Sequence, residues 1–161
     1  MAFAAFAQSA AAQVDLAPPP LKVIPKADRE RLEAKTDIKD RTKLTLELMT
    51  ERLSTAERLA AAEDFDNMFR ELGIFNGLID NSLEFLNKRD NGKGKVLDNY
   101  KRLEIGLRAF MPRLETIRRE VPMRYEDYVN TVMKAVRDAR SKATEPMFSD
   151  SIVPARKNGF R

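Results

Sequence analysis

The chain has no His and no Cys. That removes the commonest general base, the usual zinc ligand, the cysteine nucleophile, every disulfide and the Glu-x-x-His motif of di-iron helical proteins. Acid–base chemistry would then fall to carboxylates and tyrosines, and two carboxylates alone suffice for glycoside hydrolysis. Glu47, Glu51, Asp80 and Glu84 alternate with apolar residues at helical spacing, which makes them solvated positions. No acidic pair sits in an apolar frame that would raise a pKa. Tyr100, Tyr125 and Tyr128 fit a core or its rim better than an acid. The sequence therefore assigns no catalytic residue, no cofactor and no metal.

The remaining candidates are basic. From 28 to 86 there are 14 acidic and 9 basic residues, and from 87 to 142 there are 8 acidic and 15 basic. One consequence is mutual attraction between the two halves as they pack. The other is a cationic face for an anionic envelope polymer or lipid head groups, carried by Lys101, Arg102, Arg108, Arg113, Arg118, Arg119 and Arg124. Spread around a helix, these make a general surface rather than a reading head, and no nucleic-acid motif accompanies them. Residues 87–95, NKRDNGKGK, are turn chemistry. They do not form an EF-hand, because Arg89 falls on a ligand position and Asp98 stands where Glu is required. Nor do they form a phosphate loop, for want of a G-x-x-x-x-G-K-[ST] frame.

Helices must position all of these side chains. Leu46, Met49, Leu53, Ala56 and Ala60 share one helix face, and Phe65, Met68, Leu72, Phe75, Ile79, Leu83 and Leu86 share another. The two arms fold back at Glu63-Asp64, with Asp64 as N-cap of the second. An unbroken helix from about 28 to 87, roughly 90 Å long, is the alternative, but it would leave both stripes unpaired. Val96, Tyr100, Leu103, Leu107, Phe110, Leu114, Ile117 and Val121 step 4-3-4-3-4-3-4, a heptad seam. Pro112 lies inside it, so that helix is expected to be kinked rather than divided. A fourth stripe runs Tyr125, Tyr128, Val129, Val132, Val136, Ala139 and Ala143, and Glu145-Pro146 is expected to end it.

At the N-terminus, residues 1–12 fit a truncated signal peptide. Ala10 and Ala12 match the A-x-A cleavage pattern, although a basic n-region is missing. Residues 13–27 read as a Pro-rich linker in extended conformation. The expected core then spans 28–145, with helices at about 28–62, 65–88, 94–121 and 123–143, and a tail at 146–161. No stretch has the ~20 apolar residues of a membrane span.

The order of an Ala-rich leader, a Pro linker and the hairpin R-T-K-L-T-L-E-L…E-R-L…A-E-R-L-A-A-A-E-D-F-D resembles uncharacterised extracytoplasmic helical-hairpin proteins of bacteria. The likeness covers 41–86. It implies export to the periplasm or beyond and a helical architecture, and brings no activity or site residue with it. The expected fold is an all-α, up-and-down four-helix bundle with a long first helix and a Pro-kinked third. The expected role is that of an exported, non-enzymatic structural or protein-interaction protein with an unidentified protein partner. The alternative is binding of an anionic polymer or membrane surface through the basic second half.

Overall fold

A computed structural model describes residues 18–90 and 94–149. The expected leader, the start of the linker and the tail beyond Ser149 lie outside the described residues. Among those described there are five helices and no strand: α1 (Lys26–Glu33), α2 (Ile38–Ala61), α3 (Phe65–Asn87), α4 (Gly94–Glu120) and α5 (Met123–Ser149).

The long first helix is not observed. Two helices stand in its place, because Asp37 caps a new start. Its carboxylate accepts from the backbone N–H of Lys39 at 2.9 Å and of Asp40 at 3.2 Å, and Lys95 of α4 fixes it from outside at 2.8 Å. α1 instead folds back onto α2 and buries Leu32. There is thus no polar overhang. α4 runs unbroken through Pro112. α5 continues past Pro146 to Ser149 rather than stopping before it. The N–H that Pro146 lacks would have bonded the carbonyl of Lys142, which lies at an exposed position where water can serve instead.

The fold-back at 62–64 is a Schellman turn. The N–H of Asp64 reaches the carbonyl of Leu59 at 2.9 Å, and that of Glu63 reaches Ala60 at 3.0 Å. Glu63 takes the left-handed conformation (φ 58°) that glycine usually supplies. Asp64 then caps α3, accepting from the N–H of Asn67 at 3.3 Å.

The apolar stripes face one another as their spacing requires. Every seam residue from Val96 to Ile117 is buried, with Val121 half-buried at its end, and all seven of the α5 stripe are buried. The helices pair as two hairpins, α2 on α3 and α4 on α5. The hairpins lie side by side. Asp37, Leu46 and Glu57 of α2 meet Lys95, Gly106 and Arg113 of α4 in the same order, so these two helices run parallel. α3 packs on α5, joined by Asp66 to Tyr125 at 2.7 Å. Consecutive α3 and α4 touch only marginally. The ring order is therefore α2–α3–α5–α4, whereas a sequential up-and-down ring would set α3 beside α4.

Residues 20–24, expected to be spacer, lie across α3. Gly73 and Gly77 make the room: an added Cβ would stand 2.7 Å from the carbonyl oxygen of Leu21 and 3.0 Å from that of Lys22. Ile24 is buried beneath the segment, and Lys22 pairs with Asp80 at 2.9 Å.

Candidate functional site

The seven cationic residues do not form one patch. At ~100° per residue, Lys101, Arg108 and Arg119 share a face of α4, while Arg113 points towards α2 and Arg118 towards α5. Four of the seven are engaged by carboxylates. Arg113 holds Glu57 in a two-pronged pair, both contacts at 2.6 Å, and also donates to the Ser54 hydroxyl at 2.8 Å. Arg118 grips Glu115 at 2.8 and 2.9 Å and reaches Glu126 on α5. Arg119 adds a bond to Glu115 at 3.0 Å. These donors, Arg118 first, hold the Glu115 carboxyl at about 2. Arg108 holds Glu104 at 2.9 and 3.0 Å. Arg102 donates to the Asn99 side chain, and the Arg124 guanidinium lies 4.9 Å from the Tyr125 ring centre. Lys101 is exposed. Of these ion pairs only Arg113 with Glu57 joins the basic half to the acidic one; the others lie within 87–142 and leave its excess of positive charge in place.

Two buried carboxylates went unread in the sequence. Glu104, 7% exposed at its side chain, receives Arg108 from its own helix and Arg140 from α5 at 2.9 Å. Burial pushes its carboxyl up, and the bonds from Arg108 and Arg140 more than offset this, leaving it below its ordinary value. Asp28 of α1, equally buried, binds Arg52 of α2, which also reaches Glu71 of α3 at 3.2 Å. One arginine thereby ties three helices. A polar residue adjacent to an apolar stripe was the only signal, and it does not distinguish burial from exposure. Glu47, Glu51, Asp80 and Glu84 are exposed, as expected.

All three tyrosines are buried. Desolvation raises the Tyr100 hydroxyl to about 12, and it donates to Asn87 at 2.6 Å. Tyr125 is raised by its bond to Asp66 and by burial, and Tyr128 is raised by burial alone. Each therefore stays protonated at neutral pH.

A mostly apolar groove of about 540 Å³ lies between the 20–25 segment and α3. Pro20, Leu21, Val23, Phe69 and Ile74 line it, with Asp66 and Arg70 as its charged members. Leu21 is 80% exposed and Val23 55%. Phe69 is held from behind by Tyr125 and Tyr128, at 5.5 and 4.3 Å between ring centres. Among the described residues no group of three or more acidic side chains is placed to hold a metal ion, and no helix is long and apolar enough to cross a membrane.

No protein-family model, curated protein or solved structure matches the chain.

Proposed function

We propose that this is an exported, non-enzymatic protein that works by binding another protein, and that its core is a four-helix bundle of two stacked hairpins bent at Pro112. The observation that carries the interaction role is the groove over α3. It combines two largely exposed aliphatic side chains with an aromatic floor that α5 holds in place. Such an apolar concavity with a few charged members suits an apolar segment of a partner protein. Export rests on the leader-like residues 2–12. The test is a pull-down from a cell envelope at low and at physiological salt. A specific protein retained at both salts, and lost with Leu21→Asp or Val23→Asp, is the expected result. Substrate-dependent turnover abolished by one carboxylate substitution would sink the reading.

A second reading, an anionic polymer or membrane surface, is favoured by the shared face of Lys101, Arg108 and Arg119. Binding should then weaken steeply between low and physiological ionic strength. Unchanged binding after charge reversal at Lys101 and Arg119 would remove it.

A further inference from the structure

The end of the α2–α3 hairpin opposite the Schellman turn carries unbalanced charge. Arg41 lies near the start of α2, and Arg89 just past the end of α3. Both guanidinium carbons stand over the ring of Phe85, 4.2 Å and 4.0 Å from its centre. The two cations are thus no farther apart than the sum of those distances. Arg41 is half-buried, and its guanidinium donates to the neutral Asn81 oxygen at a long 3.4 Å. Among the described residues no carboxylate is in ion-pair contact with either arginine. The nearby Glu84 is taken by Lys88. Burial pushes the Arg41 guanidinium below its ordinary value, and Arg89 pushes it in the same direction against an opposing pull from Glu33. These side chains line a cleft of about 310 Å³.

Two like charges held together with one partly desolvated repel, and a shared anion removes the repulsion. Guanidinium forks match tetrahedral oxyanions through paired N–H donors, and stacking on an aromatic ring fixes their planes. The Asn81 amide nitrogen and the Lys88 ammonium supply further donors at the same cleft. We propose that Arg41 and Arg89, stacked on Phe85, form a binding site for a phosphate-type oxyanion, either free or as the phosphomonoester of a lipid head group. The site is separate from the groove and from the basic residues of α4, and does not rest on either reading above. Glu33 competes for it from the end of α1.

Calorimetric titration of the full chain with inorganic phosphate at low salt tests this. One saturable site is expected. Arg89→Gln and Arg41→Gln should each weaken it by about tenfold or more, as loss of a two-pronged phosphate contact does. Arg89 lies outside the core, so its substitution leaves helix content unchanged. Lys134→Gln makes the same charge change on α5 and should leave affinity within about twofold, given screening over that distance. Glu33→Gln should tighten binding. Vesicles of phosphatidylcholine with and without phosphatidic acid assign the source. Vesicle binding lost in Arg89→Gln places the phosphate on lipid, and binding of free phosphate alone places it in solution. Absence of a saturable site, or a loss in Arg89→Gln no larger than in Lys134→Gln, overturns the proposal.

Discussion

Glu104 is a carboxylate one position from the heptad seam, beside Leu103, and buried against two arginines. Its folded-state pKa is lowered, so its contribution is fully present above the unfolded value, near 4.3, and is lost as pH falls through the folded one. Glu104→Gln should therefore be less stable than the native chain at neutral pH. The gap should close as pH falls from about 5 towards 3, read as urea midpoints across that range. Arg52 poses the converse case. Arg52→Ala would leave Asp28, at 7% exposure, with only the long 3.5 Å contact to Arg31, and urea unfolding should register a loss of about 3 kcal/mol. Neither role could be read from the sequence. Periodicity identifies which positions of a helix face inward, but the arginine that makes a buried acid tolerable comes from another helix, 36 residues on in the case of Arg140.

At the level of elements, the apolar stripes were legible because each is long enough for its period to be unmistakable. The turns were less so. The fold-back at Glu63 was readable only from the stripes, because the turn uses a left-handed glutamate where glycine would have announced it. Glu63→Gly should relieve that strain and raise stability by about 1 kcal/mol, seen as a higher thermal midpoint. The break between α1 and α2 was missed because Asp37 sits in a run of charged residues with little apolar signal on either side. Gly73 and Gly77 are four apart on α3 and mark a close approach whose partner lies some fifty residues upstream. Gly73→Ala would set a methyl against the Leu21 carbonyl. A loss of about 1–3 kcal/mol is expected, together with faster native-state cleavage by trypsin after Lys22 as the segment lifts.

For the whole molecule, helical class followed from composition and stripes, but the order of helices around the core did not. Four amphipathic helices can close in several rings. The choice here depends on specific cross-links such as Lys95 to Asp37, Arg113 to Glu57 and Leu46 against Gly106, which no single-helix pattern contains. A chain shortened to begin at Lys26 should keep its helical circular dichroism. It should lose the burial of Ile24 and the Lys22–Asp80 pair, lower the urea midpoint and expose the apolar floor of α3 to a hydrophobic dye.

The segment across α3 also sets an order of events in folding. Each helical hairpin closes over a short turn, and contacts that are local in sequence form early. Lys22 must wait for Asp80, 58 residues later, before it has anything to rest on. During synthesis Leu21, Val23 and Ile24 therefore leave the ribosome well ahead of the glycines that receive them. The segment is made well before the surface on which it docks, and for that interval its aliphatic side chains are open to any chaperone or targeting factor that binds short apolar segments.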